Sequence, residues 1–198
     1  MVKKVCKTLI FGLCLGVASA AFAADLQPLA GHPESNNKDM LPKHEYKLVK
    51  SVPVFGRQGV ATDGEYYWVS GSKTLTKYDK NWNEVARNTS PFDGYSIPAN
   101  HIGDIDVYNN EIYVGAENFV DGVGKDIQIA VHDGDTLKLK RTFKFEPQSG
   151  QEECSGLTVN PDKKTVWMCS WVGEESGRYL YEYSLETGQF LRKVHLQC

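Results

Sequence analysis

The stretch NHIGDIDVYNNEIYVGAEN, Asn100 to Asn118, decides how the chain is read. GDIDV and EIYVG have the length and composition of strands, and Asn109-Asn110 between them is a turn pair, so the stretch predicts a β-hairpin. Asp104 and Asp106 break the pattern. They alternate, so both lie on one face of the first strand, with Ile105 and Val107 on the other. Two carboxylates on an inner strand destabilise it unless they meet water, a cation or a hydrogen-bond donor. They either belong to a site, are solvated in a channel, or bond backbone N–H groups of a neighbouring sheet.

Outward from this hairpin the pattern repeats. Segments beginning at Gln58 (QGVATDGEYYWVSG), Ile102 and Ser155 (SGLTVNPDKKTVWMCSW) each open on glycine and a strand. Each then turns through DG, NN or PDKK and returns on an aromatic-rich strand. A third strand follows (TLTKYD, IQIAVHD, YLYEYSL), then a turn (KNWN, GDTL, ETGQ) and a fourth strand. Helical periodicity is absent, so the chain is expected to be all-β. Gly59 to Gly103 is 44 residues and Gly103 to Gly156 is 53, a period that fits four-stranded antiparallel blades of a β-propeller-type array. Blades are expected at about 56–88, 100–145 and 152–197 within a repeat domain over 45–198. Glu45 onward (EYKLVKSVPV) would supply the outer strand of a preceding blade. Aligned on their first glycines, Asp104 and Asp106 match Val60 and Thr62 of one repeat and Leu157 and Val159 of the other. Tyr67, Trp68, Tyr113, Trp167 and Trp171 are expected to pack between blades, because each blade face is apolar and only a neighbour can cover it.

These repeats resemble those of six- and seven-bladed propellers of the YVTN, NHL and senescence-marker type. GLTVNPD…VWM is similar to their G-L-A-V-D-P-D-G…L-Y-V, and YEYSLETGQFLRK to their outer hairpin. The resemblance covers about Glu45 to Leu196. It implies the architecture far more than an activity, since such propellers host enzymes and scaffolds alike. RQGVATDGEYYWVSGSKTL also resembles the opening repeat of secreted glutamine cyclotransferases over a short span.

In this topology the loops before a blade's first strand and after its second share one face. That collects Arg57, Gln58, His101, Asp104, Glu153 and, from the second set, Glu117 and Asn118. Arg57, Gln58, Asp104, Asp106 and Asn118 are candidate ligand contacts, and His101 is a candidate acid or base. Asp104, Glu117 and Glu153 are candidate metal ligands. Their hard oxygen donors point to calcium, and the senescence-marker resemblance implies a lactonase-like, metal-assisted hydrolase as one alternative. No zinc spacing, EF-hand loop, nucleophile elbow or phosphate-binding glycine loop is present.

At the N-terminus, Lys3, Lys4 and Lys7 precede an apolar run to Ala20 and the A-x-A site Ala21-Phe22-Ala23, the pattern of a secretory signal cleaved after Ala23. A polar leader over 24–44 follows. The expected address is secreted or periplasmic, with no membrane span. Cleavage removes three lysines and no acids, taking the net charge from −3 to −6, which disfavours nucleic acid as a partner. Three cysteines remain. Cys154 and Cys169 could pair if Pro161-Asp162 are the hairpin's two loop residues, but if Asp162-Lys163 are, Cys154 faces Trp171 and the bond fails. A closed ring generally takes four to eight blades, so three predict either a piece of a propeller or a homodimer completing a ring. The leading expectation is a propeller-type protein that binds a small molecule or a protein partner.

Overall fold

Turn residues at regular intervals fold the β-branched and aromatic runs back on themselves. The computed structural model describes residues 47–143 and 147–196. The expected signal, cleavage site and leader, and the first residues of the strand expected from Glu45, lie outside them. The first sheet is β1 (Gly59–Thr62), β2 (Tyr67–Gly71), β3 (Thr74–Tyr78) and β4 (Glu84–Asn88). The second is β5 (His101–Tyr108), β6 (Glu111–Val120), β7 (Val123–Asp133) and β8 (Leu139–Phe143). The third is β9 (Gly156–Asn160), β10 (Thr165–Cys169), β11 (Tyr179–Ser184) and β12 (Phe190–His195). Every pairing is antiparallel between sequence neighbours. The fold is all-β: three four-stranded sheets packed together like propeller blades. Asn109 and Asn110 both take positive φ (51° and 57°), the conformation a two-residue hairpin turn demands.

Blades 1 and 2 bury Trp68 and Leu75 against Ile102, Ile105, Ile112 and Val114. Blades 2 and 3 bury Tyr113, Ile129 and Val131 against Leu157, Met168, Tyr181 and Tyr183. Rings such as Trp68, 1% exposed, each contribute a few kcal/mol, roughly 2–3, through burial. Its indole N–H also donates to Gly134 O across the interface, at 2.9 Å. Trp171 departs from expectation. It follows the end of β10 and is 86% exposed, so it packs between no blades.

The register corrects the glycine alignment. Gly59 pairs with Ser70, Asp104 with Gly115 and Gly156 with Cys169. Asp104 therefore occupies the place of Gly59 and Gly156, and Asp106 that of Ala61 and Thr158. The cause is a bulge between Ile102 and Asp104, which inserts Gly103 as an extra residue. At Gly103 the backbone of Cys154 comes so close that a Cβ would lie 1.5 Å from its carbonyl oxygen.

Residues 49–58 form no strand, correcting the expectation of a preceding blade's outer strand there. Pro53 lacks an N–H for a ladder, and Gly56 has φ 139°. This segment is held instead by Phe55 N–H donating to Tyr78 Oη (2.7 Å) and Gln58 N–H donating to Ser70 O (2.9 Å).

The connection from β4 to β5 is anchored by a fully buried histidine. Its Nδ1–H donates to Leu137 O at 3.0 Å, and Nε2 accepts from Tyr95 Oη at 2.9 Å. Burial pushes the His132 pKa below its ordinary value. The unfolded chain therefore binds this proton first, near pH 6.5. Stability from His132 is full above that pH and is lost as pH falls toward the lower folded value. Thermal melts from pH 7 to 5.5 should show a falling Tm, with a shallower fall in His132→Gln. Equal slopes in the two proteins would contradict the assignment.

Candidate functional site

The two aspartates are engaged by backbone. Asp106 Oδ1 accepts from its neighbour Val107 N–H at 2.8 Å. Its Oδ2 accepts from Val159 N–H at 2.7 Å and from Thr158 Oγ1 at 3.0 Å. Asp104 Oδ2 accepts from Leu157 N–H at 3.0 Å. Burial raises the Asp104 pKa, while the bonds from Leu157 and Ile105 N–H oppose the rise. The pair staples inner strand β5 to inner strand β9, the outcome in which donors of the next blade satisfy the carboxylates. Blade 1 has Gly59 and Ala61 at the equivalent places and no such staple toward blade 2.

A second group gathers where β5 begins and β6 ends. The ladder sets His101 opposite Glu117. His101 Nδ1 lies 2.8 Å from Glu117 Oε1, a fully buried carboxylate, while the His101 side chain keeps 20% of its surface exposed. Glu117 Oε2 accepts from Cys154 N–H at 3.2 Å. With Nδ1–H turned to Glu117, Nε2 is the acceptor, and Gln58 Nε2 reaches it at 3.0 Å while also donating to Ser72 Oγ at 2.8 Å. Phe119 flanks the imidazole, ring centres 5.4 Å apart. Asn100 fixes the strand ends that carry this group: its side chain donates to Phe119 O (3.0 Å) and accepts Phe119 N–H (2.7 Å).

Glu153 stands beside this group. Its Oε2 accepts from Trp171 N–H at 2.6 Å, and burial, seconded by the Glu117 charge, raises its pKa. Thus Gln58, His101 and Glu117 come together, with Glu153 adjoining, while Asp104 and Asp106 are committed to β9. Asn118 follows a bulge in β6 and pairs with Lys125. The β9–β10 register, Asn160 to Thr165, is the one that sets Cys154 across from Trp171. Both Cys154 and Cys169 are free thiols, so the pairing alternative is not the one adopted. Among the described residues no three His, Cys, Asp or Glu side chains converge as a metal ion would need.

Arg57, exposed, and Gln58 border a cleft of about 690 Å³ against blade 1. Lys50, Val52, Val54, Val60, Val69 and Trp82 complete most of its wall. Sequence reasoning did not single out Ser72, Asn100 or Trp82. Asn100 alone carried a signal, as a polar residue just before a strand whose end lies opposite.

No protein-family model matches the sequence, and no curated protein does. Solved structures match in number. Hydrazine synthase of Kuenenia stuttgartiensis superposes with TM-score 0.50 at 14% identity, over 77% of this chain and 40% of that one. The likeness is to β-propeller-containing proteins. A protein of unknown function from Bacteroides caccae gives TM-score 0.47 at 16% identity, over 71% and 46%. The computationally designed Ika4 protein gives 0.47 at 15%, over 78% and 82%. The chain spans less than half the length of the two natural proteins. Identities this low speak to fold alone.

Proposed function

We propose that this chain is a secreted or periplasmic propeller-type protein that binds a small organic ligand at His101. The observation that carries the reading is the Gln58–His101–Glu117 relay. Burying a carboxylate is costly, and here Glu117 holds one imidazole in one tautomer. The outward nitrogen is left as an acceptor, met by an exposed amide that a ligand O–H or N–H can displace. This is a pre-positioned recognition group, and among the described residues none beside it is an activated nucleophile, so no reaction is assigned. The finer family reading, repeats of the YVTN, NHL or senescence-marker type, rests on GLTVNPD…VWM and its counterparts.

A metal-assisted hydrolase draws less support. Asp104, Glu117 and Glu153 each spend an oxygen on a backbone N–H.

Thermal-shift screening of small hydroxylated, amino and carboxylated compounds tests the proposal. His101→Asn keeps a donor for Glu117 and removes the outward acceptor. Compounds that raise Tm of the native chain should fail to raise it in that variant, through ordinary mass action. Stabilisation indifferent to His101 would overturn the reading. Calcium in the same assay should leave Tm unchanged, and a rise abolished by Asp104→Asn would reinstate the metal.

A further inference from the structure

We propose that the cleft beside His101 takes an amphipathic carboxylate, an apolar chain with one acidic head. This goes beyond the His101 reading and stands on the lining of the cleft itself. The wall is apolar: Val52, Val54, Val60, Val69 and the ring of Trp82. Val60 is 64% exposed, whereas its register equivalents Ile105 and Leu157 are 2% and 7% exposed under the preceding blade. Trp82 is pinned in place by stacking on Tyr67, with ring centres 4.2 Å apart and planes 13° from parallel. A volume of about 690 Å³ lies in the range of small-ligand sites.

The charge at the cleft selects the head group. Lys50 and Arg57 line it, and neither has an acidic partner among the described residues, in a chain of net charge −3. Asp104 is the one acid in the lining, and one of its oxygens is already bonded to Leu157 N–H. Arg57 offers a forked donor suited to a carboxylate. Gln58 lines the cleft, and its amide is held by His101 and Ser72, which fixes that part of the wall.

The test titrates the full chain with decanoate, 1-decanol and acetate, read by calorimetry and tryptophan fluorescence. Decanoate should bind saturably and change the Trp82 emission, a change lost in Trp82→Phe. Charge-assisted bonds of this kind predict affinity lower by roughly tenfold or more for 1-decanol, and for decanoate with Arg57→Gln. Acetate should not bind measurably. Equal affinity for the acid and the alcohol, no effect of Arg57→Gln, or no saturable binding each overturns the inference. So does a dimer that Val60→Asp converts to monomer without decanoate binding, since a second copy then covers the cleft. Decanoate carries no donor for His101 Nε2, so its affinity should be unchanged in His101→Asn, and the two readings fail separately.

Discussion

Gly103→Ala should cost more than about 4 kcal/mol of stability, read by urea denaturation, which places it among the exceptional single substitutions. The added Cβ would sit 1.5 Å from Cys154 O and 2.7 Å from the same carbonyl carbon. Both atoms are main chain, so relief requires β5 to separate from the segment leading into β9. Gly115→Ala is an instructive companion. There the Cβ would meet Cys154 Sγ at 2.1 Å, a side-chain atom that can rotate, so the loss should be smaller. Gly64→Ala serves as the control, because nothing lies within 4 Å and only its φ of 89° opposes alanine. That strain is worth about 1–2 kcal/mol. A Gly103→Ala protein as stable as the Gly64→Ala one would refute the bulge packing.

Asp106→Ala should lower stability by about 2–3 kcal/mol, the scale of hydrogen bonds made by a charged group. In a chain of this size that is a Tm drop of roughly 4–12 °C. The substitution strands Val159 N–H and Thr158 Oγ1 without their acceptor. Asp106→Asn retains one carbonyl oxygen and should lose less. If Asp106→Ala melted with the wild type, the staple would contribute nothing and solvation by a channel would explain the residue better.

Strand order was legible because its determinants are local: alternation, turn pairs and aromatic return strands recur in each repeat. What escaped detection depends on contacts distant in sequence. Gly103 looks like the repeat-opening glycine, yet it is the extra residue of a bulge, packed against a Cys154 carbonyl that arrives from the next blade. That displacement by one residue moved Asp104 to the wrong equivalent. Strand order alone puts Gln58, His101 and Glu117 on one face, because loop position follows from it. The full burial of Glu117 and the reach of Gln58 to the imidazole are not legible there, since both depend on side-chain packing across two blades. The segment after Glu45 alternated well enough to read as a strand, but Pro53 and the φ of Gly56 removed the ladder it needed.

An innermost strand borders the blade with amides that its own ladder does not use, and such a row invites any extended chain to add itself. Asp106 caps its own neighbour Val107 with one oxygen and Val159 of the adjoining strand with the other, and Asp104 reaches Leu157. The carboxylates therefore close these positions to an incoming strand and surround them with negative charge. Blade 1, with glycine and alanine in those places, lacks this guard. Of the three inner edges β1 is therefore the one open to an added strand, and introducing an aspartate at Ala61 is the change that would close it.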